Sequence, residues 1–353
     1  MPLTRQQQLT LSKAQLRGAG GQSVPLSNAD CTYLIGVMAQ DLERRNDFPE
    51  FGGVELPSFF SLPSVEYPPL PDAKFLDLYE RLLAGEPDSE TYFVCLARLY
   101  KTRLKYERIL ERQPLPTMDQ VGPRGLLQFG LMSTRALAHF MFWRKWVFDI
   151  DNRAGQETGY LFEPILASAM GGIPLSAAAS PIKRHADRSK GRQVDCILQQ
   201  QKLAYEFKLR VTIAASGQGR WREELDFPVD CRTSGYRPML VVLDKTEDPK
   251  LTQLVGAFEE QGGDVFVGPR AWEHLDSMAG PTMAQFLERY VHRPIDELLA
   301  AIPDDLRALP RIIMSVDENE ASITIEGEPL YAIRRQPEVA DADSDSTDTP
   351  LGH

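Results

Sequence analysis

Histidine and cysteine are scarce in this chain of 353 residues. The five histidines (His139, His185, His274, His292 and His353) form no His-x-x-x-His pair and no His-Glu pair. That disfavours a zinc hydrolase or a ββα-metal nuclease. The four cysteines (Cys31, Cys95, Cys196 and Cys231) stand far apart, without Cys-x-x-Cys or Cys/His metal spacing. A reduced setting suits them, and Cys196 reads as an inert strand residue. No Gly-x(4)-Gly-Lys-Ser/Thr occurs, which excludes an NTP-binding loop of that kind. No Gly-x-Ser-x-Gly elbow surrounds Ser216, so a serine nucleophile there is disfavoured. No apolar run is long enough to span a bilayer, because Arg144 and Lys145 break the most apolar helix-like segment, Ala136 to Ile150. No signal-peptide pattern opens the chain, and a cytoplasmic location is expected.

Excess positive charge is missing too: the net charge is −11. Its distribution matters more than its sum. The tail 336–353 holds Glu338, Asp341, Asp343, Asp345 and Asp348 with no Lys or Arg, and is expected to be disordered. The segment just before the candidate site is the reverse. There Lys183, Arg184, Arg188, Lys190 and Arg192 stand against one acid, Asp187. Phosphate contacts need local clusters of this kind rather than a basic whole protein. A solvated loop is the plain alternative for each residue taken singly.

Two short apolar runs carry the chemistry, Gln193 to Leu198 and Leu203 to Val211. On a strand, side chains at i and i+2 share a face. Glu206 and Lys208 therefore point one way while Tyr205, Phe207 and Leu209 point into a core. If the runs pair across the polar loop Gln199 to Lys202, Asp195 joins them. Two carboxylates suit a hard cation such as Mg²⁺, which lowers the pKa of a bound water and stabilises phosphate charge. A lysine beside them can hold the attacking water and add positive charge where the transition state gains negative charge. The plain alternative is a solvated strand face on which an acid and a base alternate.

Around these runs, helices are expected at Asn28 to Arg45, Asp72 to Leu83, Ser89 to Arg112, Ala136 to Ile150 and Gln156 to Met170. Ser27 or Asn28 can cap the first, and Gly171-Gly172 ends the last. A Pro-rich stretch, Pro49 to Pro71, interrupts helical structure. Trp143 and Trp146 read as core or dimer-contact residues. Further strands are expected at Met239 to Leu243, Val265 to Val267 and Arg311 to Ser315. Helices are placed at Lys250 to Gln261 and Pro281 to Ala301, and a small hairpin at Ser322 to Ile333. The order fits an α/β (α+β) fold with a mixed central sheet flanked by helices and an N-terminal helical subdomain. The expected organisation is a loose arm at 1–25, the helical subdomain at 26–150, a catalytic core at 151–335 and the acidic tail.

The Asp195…Glu206-x-Lys208 arrangement resembles the PD-(D/E)xK nuclease superfamily, over about residues 154–270. Val194 stands where the family's leading Pro would be. The run Val194 to Glu224, with Glu-Phe-Lys-Leu-Arg-Val-Thr and Ala-Ala-Ser-Gly-Gln-Gly-Arg, looks like the ApaLI/XbaI-like group of type II restriction endonucleases. The resemblance implies a restriction-endonuclease-like core, Asp195 and Glu206 as Mg²⁺ ligands, and Lys208 on the attacking water. It also implies a supporting acid on the preceding helix. Glu163 matches that position, and Glu157, on a different face of the same helix, is the alternative.

The group cuts six-base palindromes, so the resemblance further implies a homodimer with one site per strand, and modification by a separate cognate DNA methyltransferase. The segment after the motif carries Arg210, Gln218, Arg220 and Arg222. Arg can donate two bonds to guanine and Gln can make two to adenine, so these residues are expected to face double-stranded DNA. Two alternatives remain, a repair or recombination nuclease of the same fold and a DNA-binding protein that does not cut. The intact acid-acid-Lys set argues against the second.

Overall fold

A computed structural model describes residues 4–16, 26–53, 55–60, 71–85, 88–111, 113–209, 218–244, 249–301, 303, 305–317 and 320–334. Arg210 and the acidic tail lie outside the described residues, as do the side chains of Gln218 and Arg220. Among them are the helices α1 (Arg5–Ala14), α2 (Asn28–Asp41), α3 (Asp72–Leu83), α4 (Ser89–Glu111), α5 (Met118–Val121) and α6 (Thr134–Ala169). These are followed by α7 (Gln218–Thr233), α8 (Pro249–Glu260), α9 (Pro269–Leu287) and α10 (Arg293–Ala300). The strands are β1 (Ile173–Leu175), β2 (Val194–Leu198), β3 (Leu203–Lys208), β4 (Arg237–Val242) and β5 (Asp264–Val267), then β6 (Ile312–Asp317), β7 (Glu320–Ile325) and β8 (Glu328–Arg334).

The chain divides into two compact units, Met1–Leu99 with Leu161–Glu297, and Tyr100–Tyr160 with Leu298–Ser346. The helical region expected at 26–150 is thus shared between the two. Part of the expected loose arm is helical: in α1, Leu11 and Ala14 are buried, so an apolar face rather than composition decides its state.

In the first unit the sheet order is β1-β2-β3-β4-β5. Strands β1, β2 and β3 run antiparallel, and β3, β4 and β5 parallel. Parallel neighbours need crossovers, and α7 and α8 supply them. One sheet face packs Ala204, Leu240 and Val242 against Phe227, Cys231, Leu254 and Phe258 of those helices. From the opposite face of β3, the Tyr205 hydroxyl meets His274 Nε2 of α9 at 3.1 Å, and His274 stacks on Phe266. The side chains of β3 therefore alternate as the period of two requires.

Buried polar groups fix α2. Asp41 is bonded by the Tyr92 hydroxyl at 2.9 Å and by Arg289 and Tyr290. The last two lie in a π turn, Glu288–His292, after α9. Ser27 caps α2 in a reciprocal capping box with Asp30.

Three expectations are corrected. Ala136 to Ile150 and Gln156 to Met170 are one helix, α6, of 36 residues. Gly155 and Pro164 sit inside it without ending it, since neither marker overrides the packing of a long apolar stripe. Gln218 to Glu224, expected within a DNA-facing Gly-rich segment, belongs to helix α7. Arg311 to Ser315 does not extend the alternating β/α order: β6 pairs with β7 in a separate antiparallel sheet, β6-β7-β8, in the second unit. There Ala321 packs against fully buried Trp146, with Trp143 and Ile150 alongside. Among the described residues no helix is long and apolar enough to cross a membrane.

The exit from α6 has no room for a side chain. Gly171 adopts φ +71° and the Gly172 N–H donates to the Ala167 carbonyl at 2.8 Å. A Cβ on Gly172 would collide with Cys196 Sγ and press on the Ile197 carbonyl oxygen, 3.2 Å away. Gly172→Ala should therefore destabilise the fold by about 1–3 kcal/mol, read as a lower urea midpoint with an unchanged slope.

Candidate active site

The β2–β3 hairpin delivers the motif residues to one place. Cys196 pairs with Tyr205 across the antiparallel ladder, and one residue further on Asp195 comes opposite Glu206. Asp195 is nearly buried, and its Oδ2 accepts the Phe207 N–H at 2.9 Å. The Lys208 ammonium donates to Glu206 Oε1 at 2.8 Å. It also lies 3.5 Å from Glu224 Oε1, which α7 brings over the end of β3. Glu163, on the last turns of α6, interacts electrostatically with both Glu206 and Lys208. Glu157, the alternative acid, pairs instead with Lys105 at 3.0 Å.

Crowding sets the protonation of this cluster. Burial pushes the Glu163 carboxyl up to about 7, with repulsion from Glu206 adding and Lys208 opposing. Asp195 is raised well above the usual carboxylate range, first by burial and then by Glu206 and Glu163. Burial alone would lower the Lys208 ammonium. Glu206, Glu224 and Asp195 outweigh it and hold the lysine above its ordinary value. Burial also lifts the Cys196 thiol to about 12, so it stays protonated and inert.

Among the described residues no three His, Cys, Asp or Glu side chains are gathered at metal-ligand spacing. The chemistry of the donors still fits a hard divalent cation. Asp195, Glu206 and Glu163 offer only oxygen, and two of the three carboxyls are pushed up by burial and mutual repulsion that an added cation would relieve.

Residues 70–292 match the family model of the ApaLI-like restriction endonucleases. The chain is also 48% identical over 286 residues to the type II restriction enzyme ApaLI of Acetobacter pasteurianus, with 76% of each chain covered. The chain belongs to the ApaLI-like restriction endonuclease family. No solved structure matches it. Membership makes it a site-specific deoxyribonuclease, and sets aside both the repair nuclease and the binding protein that does not cut.

The basic segment of this restriction endonuclease is tied to α7 more than composition suggests. Arg184 pairs with Glu223 at 2.8 Å, and Lys190 with Asp187 at 3.3 Å. Lys183 Nζ donates to the Ser180 carbonyl at 3.2 Å. His185 bonds buried Asp230 at 2.7 Å through Nδ1. Arg192, expected on DNA, is only 8% exposed. It lies over the Phe227 ring, bonds the Glu223 carbonyl and stands 3.5 Å from Asp230. Its charge is neutralised inside the protein. Arg188, Lys190 and Arg222 are exposed.

Glu224 is the site residue that sequence reasoning missed. It lies 16 residues beyond Lys208, and the signal that could have found it was an acid at the start of the crossover helix after the motif strand.

Two carboxyls raised by folding have a consequence for stability. Folding favours their protonated forms. For Glu163 the stabilising contribution is full below its ordinary value of 4.5 in the unfolded chain and is lost as pH rises through about 7. In EDTA, the unfolding free energy should fall between pH 5 and pH 8 by on the order of 1–3 kcal/mol. Glu163→Gln, uncharged throughout, should flatten that fall. An equally steep fall in the variant would remove Glu163 from the cluster.

Proposed function

We propose that this restriction endonuclease hydrolyses a phosphodiester in each strand of a short palindromic DNA site with Mg²⁺ held by Asp195 and Glu206. The observation that carries this reading is the Asp195, Glu206 and Lys208 cluster at the end of the β2–β3 hairpin. A bound divalent cation supplies a water of lowered pKa and charge stabilisation at the phosphate. Glu163 supports the ligand pair from α6.

Lys208 acts as a charge and an orienting donor. An ammonium held firmly protonated has no lone pair with which to take a proton. Its hydrogen bonds are directed instead at the attacking water and the phosphate oxygens, where negative charge builds up. Glu206 and Glu224 both claim Lys208. When Glu206 serves the cation, Glu224 keeps the lysine in position. Exposed Arg188, Lys190 and Arg222 supply phosphate or base contacts, together with Lys183, Arg184, Arg210, Gln218 and Arg220. A palindromic target implies a two-fold homodimer, and a cognate methyltransferase as a separate protein protects the host sites. The chain's lack of an NTP-binding loop fits cleavage that needs no nucleotide.

Digestion of a long natural DNA tests this. Wild type should give discrete fragments with Mg²⁺ and none in EDTA, and sequencing their ends gives the site. Lys208→Ala should lower the cleavage rate by about 10²-fold or more, and Glu224→Gln by about tenfold. Uncut DNA of varied sequence in every condition would refute the assignment of this cluster.

A further inference from the structure

The second unit carries apolar surface that its own fold does not cover. Between Arg124 and Arg135 ten consecutive residues, Gly125 to Thr134, bear no charge. In this run Leu127 is 92% exposed, Leu126 77%, Leu131 76% and Phe129 68%. The neighbouring face of α6 continues the patch with Phe140 and Phe148, both exposed. The two parts are contiguous: Arg144 of α6 reaches Gln128 at 3.5 Å, and its guanidinium lies over the Phe140 ring. Beside them opens a concavity lined by Val121, Arg124, Met141, Arg144, Lys145 and Phe148.

Soluble monomers rarely leave so much contiguous apolar surface bare. Six large side chains at these exposures present several hundred Å², the scale of the roughly 800 Å² that each partner covers in a standard interface. A DNA occupant does not fit the run, because a duplex is held by Lys and Arg on phosphates and these ten residues have none. Protruding leucines beside a hollow with Val121, Met141 and Phe148 in its lining, alongside Arg124, Arg144 and Lys145, make the surface complementary to itself, as a two-fold interface requires.

We propose that the ridge Leu126 to Met132, with Phe140 and Phe148 of α6, is the surface on which a second copy of this chain docks. The leucines of one copy fill the hollow between Val121 and Phe148 of the other. The inference rests on the reading of the enzyme as one that cuts both strands, since each chain supplies one Asp195-Glu206-Lys208 cluster.

The test is the molar mass of the full chain in solution, by light scattering on a sizing column. Wild type should run as a dimer. The double variant Leu127→Glu/Phe129→Glu should have half that mass, with unchanged circular dichroism, because both side chains are exposed. A dimeric double variant would overturn this face while leaving the two-strand reading intact. A monomeric wild type would overturn the second copy as occupant. If the double variant then melted lower, the occupant would be another part of the same chain. If it lost DNA affinity instead, the occupant would be the duplex.

A second measurement does not depend on the charged variant. All four native cysteines are buried, so in Leu127→Cys the introduced thiol is the one that labels. Its reaction with a maleimide should slow as protein concentration rises. A rate independent of concentration would overturn the proposal. DNA cleavage by the same preparations reports separately: a dimer that does not cut would refute the catalytic reading and leave the interface standing.

Discussion

One ammonium faces four carboxylates at the end of β3, and the candidate site is organised by that imbalance. Lys208 is drawn by Glu206, Glu224 and Asp195 and counteracts the charge of Glu163. A single positive charge cannot neutralise four acids in a half-buried place, so burial and repulsion push Asp195 and Glu163 towards their protonated forms. The arrangement is one that a divalent cation would complete. Folding holds the acids close, and the energy of holding them there is available to the ion that relieves it.

The fold supplies that closeness with few elements. The β2–β3 hairpin brings Asp195 opposite Glu206, the last turns of α6 bring Glu163, and the crossover α7 brings Glu224. Each contribution depends on an adjacent packing constraint. α6 turns away at Gly171-Gly172, where Gly171 takes a left-handed φ and Gly172 has no space for a Cβ. α7 is held to the segment before β2 by Arg184, His185 and Arg192. The basic residues that composition offers as a DNA surface are therefore partly the fastenings of the helix that carries Glu224.

The hairpin was readable in the sequence because a period of two is a strong local signal, and Asp195, Glu206 and Lys208 all sit on it. The ends of α3 and α4 were readable from apolar spacing. β1 was not: it has three residues, one of them Pro174, and lies at the sheet edge, where a missing N–H is tolerated. α7 was hidden by Gly219 and Pro228, which locally argue for a loop and are overruled by packing against the sheet. The unity of α6 was hidden in the same way by Gly155. Glu224 could not be placed without α7, and the burial of Arg192 could not be foreseen without Phe227 and Asp230. These failures share one cause: each depends on contacts between elements, which local spacing does not encode.

Asp195 has two oxygens with different employers. One accepts the Phe207 N–H and completes the strand pairing, while the carboxyl as a whole belongs to the acid cluster. Glycine or alanine at this position would leave a buried backbone donor without a partner as well as removing a carboxyl from the cluster, whereas asparagine would keep an acceptor for the strand and lose only the charge. The position therefore joins strand pairing to the charge balance of the cluster, and an asparagine there would separate the two.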